Sequence, residues 1–248
     1  MDKRKNKNKK VKKGIIFVGI FLLSFCLLVY YYYWVVLPPL APARVRISNI
    51  TDVSLTVTWV TEKPTKGGVV ISTQKNRLLR TGEFFVCQVF GWCRFYHEVS
   101  SEKSRIHMVV LTNLNQDTYY YYRIFSGGRL WKKDSGASIL PSIKTKETPA
   151  AISFPHPLFS YVYWAKDQRP VKNALVFVSL VKENGLVIDK DSTVSTFTDE
   201  RGLWLLDLKK IPEGNDMILI EVYTQEGKIS GEFRKVTEKR EVSPVLID

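Results

Sequence analysis

Residues 107–125 read HMVVLTNLNQDTYYYYRIF: an apolar run, a cluster of turn formers, and a second run that alternates. In YYYYRIF (119–125), Tyr120, Tyr122 and Ile124 recur every second position, as one face of a half-buried strand does. Asp117 and Thr118 suit a tight corner, because their short polar side chains bond nearby backbone. Tyr120 then reads as a tyrosine corner, with its ring in the core and its hydroxyl on a backbone group a few residues upstream.

Working outward, the same period continues. In SLTVTWV (54–60), Leu55, Val57 and Trp59 face one way and Ser54, Thr56 and Thr58 the other. VRISNI (45–50) and GVVIS (68–72) are further strands, Gly127-Gly128 turns the chain, and SILPSIKT (138–145) closes the unit. A second set follows: SYVYW (160–164), ALVFVSLV (174–181), STVSTFT (192–198), the turn DERG (199–202), LWLLDL (203–208), MILIEVY (217–223) and ISGEFRKV (229–236). Short strands with turn signals every 8–12 residues predict two β-sandwiches, at 43–147 and 158–248, joined by a linker at 148–157.

The N-terminal end has other physics. Residues 14–37, GIIFVGIFLLSFCLLVYYYYWVVL, hold no charge, and as a helix they would span roughly 36 Å, enough for a hydrocarbon core of about 30 Å. Eight Lys or Arg precede the run within residues 1–13, and Tyr30 to Trp34 cluster at its far end like an interfacial belt. The expectation is a single-pass signal anchor in the lipid bilayer of the cell membrane. Its basic tail would be cytoplasmic and its C-terminal domains extracellular, with PPLAP (38–42) as a stalk. The rival is a cleaved signal peptide ending at Ala41-Pro42-Ala43, against which the length of the run counts. The net charge of +13 is uneven: residues 38–149 hold sixteen basic and eight acidic residues, residues 150–248 thirteen and fifteen. Topology accounts for the basic tail without nucleic acid, and the basic first domain suits an anionic lipid or wall polymer.

The run Leu111-Thr-Asn-Leu114-Asn-Gln-Asp-Thr118-Tyr-Tyr120-Tyr-Tyr122-Arg-Ile124, led by Arg105-Ile-His107, resembles the E–F corner of fibronectin type III domains. More closely, it is similar to the N-terminal sandwich of purple acid phosphatases, as are Arg46-Ile47 and Ser54-Leu-Thr-Val-Thr-Trp59. The resemblance covers roughly 43–147; Gln116 stands where that family has Pro, and an aromatic-rich insertion lies around 80–100. It implies structural roles for Trp59, His107, Leu114, Tyr120 and Tyr122. In the second half, Pro170-Val171, Ala174-Leu-Val176, Thr198-Asp199-Glu-Arg-Gly202-Leu-Trp204 and Leu206 resemble carboxypeptidase regulatory-like sandwiches, a transthyretin-like fold. Gly202 and Trp204 are the structural positions that likeness implies.

Catalytic chemistry is not legible. A purple acid phosphatase needs a second domain carrying ligands for two metals, and neither GDxG nor GNHE or GNHD occurs. His97, His107 and His156 have no metal-ligand spacing, and no GxSxG, P-loop or dinucleotide fingerprint is present. Asp189, Asp191, Asp199 and Glu200 are acidic turn residues that would need further oxygen ligands to hold calcium. The reading is therefore of no enzyme, no cofactor and no metal.

Cys26 falls in the apolar run, while Cys87 and Cys93 in FFVCQVFGWCRFYH sit where a hairpin turning at Gly91 would bring them opposite, as a disulfide or as two thiols. The insert aromatics Phe84, Phe85, Phe90, Trp92, Phe95 and Tyr96 with Arg94 either extend the core or form an exposed patch. The functional expectation is a cell-envelope protein displaying two non-catalytic sandwiches for adhesion, scaffolding or partner binding. The alternatives are a carbohydrate binder stacking sugars on Trp131, Trp164 or the insert, and an accessory or remnant of a metallohydrolase.

Overall fold

The computed structural model describes residues 3–32, 40–75, 92–98, 102–131, 141–148, 157–181, 193–207, 217–235 and 242–248, with side chains of the helix described from residue 17. It divides into two units, Met1–Leu40 and Ala41–Asp248.

The first unit is one helix, α1 (Lys3–Tyr31), of 29 residues. Every described side chain from 17 to 32 is exposed, on all sides of the helix, and none is charged. A helix that covers a core carries an apolar stripe backed by polar residues, and this segment has no polar face. Among the described residues no helix is long and apolar enough to cross a membrane. The span expected at 14–37 continues past them, and 33–39 lie outside the described residues.

The second unit is all β. Its first eight strands are β1 (Ala43–Ser48), β2 (Leu55–Thr65), β3 (Gly67–Ser72), β4 (Arg94–His97), β5 (Ser104–Leu111), β6 (Tyr119–Ser126), β7 (Arg129–Trp131) and β8 (Ser142–Lys144). They form a sheet β1-β2-β5 facing a sheet β4-β3-β6-β7, with β8 also paired to β6. Between them Leu55, Val57, Trp59, Val69, Ile71, Val109, Leu111, Leu114, Tyr120, Tyr122 and Ile124 make one buried core. The inward triplets read from the sequence, Leu55-Val57-Trp59 and Tyr120-Tyr122-Ile124, both lie in it.

The remaining strands are β9 (Pro157–Trp164), β10 (Leu175–Val181), β11 (Val194–Phe197), β12 (Leu203–Asp207), β13 (Met217–Tyr223), β14 (Ile229–Lys235) and β15 (Val245–Ile247). A sheet β11-β10-β13-β14 packs on a sheet β12-β9-β15, in which β15 runs parallel to β9. Trp204, Leu206, Leu158, Val162, Val176, Ile218, Ile220 and Val222 are among the residues of this second core.

A third core joins the two sandwiches. Ile106 of β5 is buried with Leu175 and Phe177 of β10 and Tyr223 of β13, flanked by Val60, Met108 and Phe197. Thr56 and Thr58 point away from the first core, as their alternation requires, yet both are buried. Thr58 is paired with Met108 and Arg46, and Thr56 with Ser48, so these threonines share the sheet face on which the second sandwich rests. A period-two pattern marks which face a residue takes, and only packing tells whether that face meets water.

Candidate functional site

Among the described residues, a hydroxyl, an imidazole and a carboxylate meet at His107. His107 is fully buried, and its ring stacks on Trp59 with centroids 4.8 Å apart and 11° between planes. Its Nδ1 lies 2.7 Å from Glu98 Oε1, and its Nε2 lies 3.2 Å from Thr61 Oγ1. A carboxylate only accepts, so Nδ1 carries the proton on that side. The other carboxylate oxygen, Glu98 Oε2, accepts from the Gly67 N–H at 2.8 Å. The first strand of the opposite sheet can come this close because Gly67 has no side chain. A Cβ there would overlap Trp59 Cζ2 and sit 2.9 Å from His107 Nδ1.

Hydroxyl, imidazole and carboxylate in line have the connectivity of a nucleophile with its base and orienting acid. The surroundings differ from such a site: Thr61 is buried, and its hydroxyl donates to the Lys63 carbonyl at 2.8 Å. What the cluster does is tie β2, β3, β5 and the segment after β4 together through buried side-chain contacts.

The corner behaves as the tyrosine motif requires: Tyr120 is buried and the Asn115 N–H donates to its Oη at 2.8 Å. Leu114 and Tyr122 are buried in the same core. In the second sandwich Gly202 has φ +74°, and a Cβ there would lie 2.5 Å from the Val162 carbonyl oxygen. Asp199 Oδ1 accepts from the N–H groups of Arg201 at 2.8 Å and Leu203 at 2.9 Å. The Leu203 N–H foremost holds the Asp199 carboxyl below the usual carboxylate range. This acidic turn closes on itself and leads Trp204, fully buried, into the core. Among the described residues no group of three or more His, Cys, Asp or Glu side chains is placed to hold a metal ion; Asp189 and Asp191 lie outside them.

Of the insert, residues 92–98 are described. Arg94–His97 form edge strand β4 on β3, with Tyr96 packed against the first core and Phe95 against Val70. The Tyr96 hydroxyl donates to the Thr112 carbonyl at 2.7 Å and Arg94 Nη1 to the Asn113 carbonyl at 2.7 Å. Cys93 is buried and disulfide-bonded; Cys87, Phe84, Phe85 and Phe90 lie outside the described residues. Trp131 donates its indole N–H to the Ser126 carbonyl at 3.0 Å, and Trp164 packs against the second core. Both indoles are half-buried.

Two features had no sequence signal. A cleft of about 610 Å³ opens where the sandwiches meet, floored by Ile106, Met108, Val110 and Phe197 and rimmed by Glu98 and Gln225 among others. Across the same junction Arg46 Nη2 donates to Glu221 Oε1 at 2.7 Å and to Tyr223 Oη at 3.0 Å, while its Nη1 pairs with Glu221 Oε2. The guanidinium also lies over the rings of Phe177, at 4.9 Å, and Tyr223, at 5.6 Å. The Arg46 hydrogen bond holds the Glu221 carboxyl below the usual range, and the same bond raises Arg46. Ser48 and Ser195 share a hydrogen bond at 2.7 Å, and Asn49 exchanges two bonds with the backbone of Ser195, at 2.9 and 3.0 Å.

The described residues of the second unit thus form a tandem of β-sandwiches. Residues 42–137 match the family described as purple acid phosphatase, N-terminal domain, the family its corner motif resembles. No curated protein sequence matches the chain. Among solved structures, the FN1-FN3 domains of chicken CNTN1 share 14% identity, with 84% of this chain and 68% of that chain covered and a TM-score of 0.30. BcpA, the major pilin subunit of Bacillus cereus, shares 12% over 84% and 70%, with a TM-score of 0.26. The group B streptococcus pilus 2b backbone protein shares 7% over 82% and 96%, with a TM-score of 0.27. At these values the likeness carries nothing about partner or role.

Proposed function

We propose that this chain is a membrane-anchored, non-catalytic display protein of the cell envelope. On this reading α1 and the residues after it hold the two sandwiches at the outer surface as one stiff module for adhesion, scaffolding or partner binding. The observation that carries the non-catalytic part is the fate of His107: in the hydroxyl–imidazole–carboxylate line found among the described residues, the imidazole and the hydroxyl are buried and the hydroxyl is committed to a carbonyl. Anchorage is supported by the uncharged run at 14–37 behind eight basic residues, and by apolar side chains exposed all round α1.

The experiment is fractionation with topology. A C-terminally tagged chain is expected in the membrane fraction after alkaline carbonate, with the tag digested by protease added to intact cells. Recovery in the carbonate-soluble fraction, or a tag protected in intact cells, overturns the anchored reading. Metal-dependent hydrolysis by the purified chain overturns the non-catalytic one. The sixteen basic residues of 38–149 against eight acidic ones favour an anionic surface or wall polymer as the attracting partner, with binding that weakens as salt rises.

A further inference from the structure

Strand β5 is an edge of the β1-β2-β5 sheet and is hydrogen-bonded to β2 alone among the described strands. Bonds at its flanks fix which way its backbone faces. The Leu114 N–H donates to the Val53 carbonyl at 2.9 Å, so Val53 and, at the period of two, Leu55, Val57 and Trp59 face β5. Their partners Leu111, Val109 and His107 face back, which turns the N–H and C=O of Ile106, Met108 and Val110 away from β2. Side chains close both ends of that outward row. The Ser104 hydroxyl accepts from the Ile106 N–H at 3.0 Å and donates to the Ile106 carbonyl at 2.5 Å, and the Tyr96 hydroxyl donates to the Thr112 carbonyl. Between these closures the outward groups of Met108 and Val110 have no hydrogen-bond partner among the described residues.

The cleft between the sandwiches lies along this open stretch. Ile106, Met108 and Val110 line it on one side and Phe197, Asn173 and Gln225 on the other, and its volume is about 610 Å³. Val110 is 47% exposed. From Ile106 to Leu111 the strand carries no Lys, Arg, Asp, Glu or Pro, the residues by which an edge is ordinarily kept from pairing. We propose that the cleft takes an extended peptide segment of a partner protein, which adds to β5 as a further strand.

The open main-chain groups select the occupant. A donor and an acceptor on each of two residues about 6.6 Å apart are met in register by another polypeptide backbone, which presents the same groups at the same spacing. A sugar or an acyl chain has no such repeat. Those bonds supply affinity, and side chains of the incoming strand that turn onto Met108, Val110 and Phe197 favour apolar residues at alternate positions. A cleft of this volume holds a short segment and not a folded domain. The role of such binding rests on the display reading, whereas the binding itself needs no anchor.

The test uses the full chain in detergent micelles, with a display library of linear heptapeptides as the probe and amide hydrogen exchange resolved by residue. In the free chain Met108 and Val110 are expected to exchange fast, and His107 and Val109, bonded to β2, slowly. A selected heptapeptide is expected to slow Met108 and Val110 about tenfold or more and to leave β14, the edge of another sheet, unchanged. Val110→Pro deletes one outward N–H without touching the β2 ladder, and should weaken the peptide about tenfold or more at an unchanged melting temperature. Should that variant melt early, the same peptide N-methylated at alternate residues carries the comparison on the unaltered chain: methylation in one register is expected to abolish binding and in the other to spare it. Slow exchange at Met108 and Val110 in the free chain, whether from a segment of the chain itself or from a second copy, overturns the proposal. So does a library without binders, protection of another edge, or equal binding in the two methylation registers. Failure of anchorage reads out separately, as chain in the carbonate-soluble fraction, and leaves the exchange result as it stands.

Discussion

Arg46 and Glu221 stand 175 residues apart and meet in a two-pronged ion pair across the junction of the sandwiches. The guanidinium is planar, lies over two aromatic rings and offers donors in a fork that matches the carboxylate. With Tyr223 as a further partner, the pair fixes the register of β1 on the face of β13 beside an apolar third core.

Removing one side of this pair should weaken the junction. Arg46→Ala strands a half-buried carboxylate and is expected to cost about 1–3 kcal/mol, less than a fully buried pair because both groups keep some solvent contact. The measurement is thermal unfolding by circular dichroism. A cost no larger than that of Lys172→Ala would show the pair to be ornamental.

Acid should act through the same carboxyl. Glu221 is held below the usual carboxylate range by the Arg46 hydrogen bond. A group depressed in the folded state adds stability that is complete above its unfolded value of about 4.3 and is lost as pH falls through the folded value. The melting temperature should therefore drop on acidification below about pH 4.3, and Glu221→Gln, weaker at neutral pH, should drop less. Parallel curves for the two chains would count against this assignment.

Gly67→Ala tests the His107 cluster from the backbone side. Its methyl would overlap the Trp59 ring, whose neighbours are packed on all sides, and the expected loss is about 2–4 kcal/mol with altered near-ultraviolet dichroism. Gly128→Ala, where nothing lies within 4 Å but φ is +81°, should show only the smaller backbone penalty of about 1 kcal/mol.

Tyr120→Phe keeps the ring and deletes the acceptor of the Asn115 N–H. An expected cost of about 1–2 kcal/mol follows from leaving that donor without its partner. Hydrogen exchange should speed at Asn115 more than at residues of β3, and uniform acceleration would mean a global effect instead.

Peptide mapping without reduction should find Cys93 linked to Cys87, the spacing-based expectation. Closing so short a loop contributes about 2 kcal/mol on the chain-entropy model, so reduction should lower the melting temperature. Alkylation of both thiols in the native chain would refute the link.

Much of the architecture was legible because β-structure writes a local signature. Alternation in 54–60 and 119–125 named the inward residues, and the corner at 112–118 named Tyr120 as its anchor. Gly202 and Trp204 were legible through the family likeness of the 198–206 run, and the structure gives Gly202 a positive φ and buries Trp204. His107 was readable as a packed residue, but its partners Glu98 and Thr61 were not. A hydrogen bond between side chains 9 or 46 residues apart leaves no periodic trace. Val110 and Phe197 gave no sign of flooring a shared cleft, since each looks like an ordinary strand residue.

From its sequence alone this chain was committed to strands, corners and a charge-free N-terminal run, because backbone period, turn chemistry and charge are properties of neighbouring residues. Only the tertiary structure decided that Thr56 and Thr58 are buried, that Arg46 finds Glu221, and that Leu205 and Leu246 stay uncovered. Those outcomes depend on which sheet face meets another. That is fixed by long-range packing of apolar surface, a non-directional force that no short stretch of residues encodes.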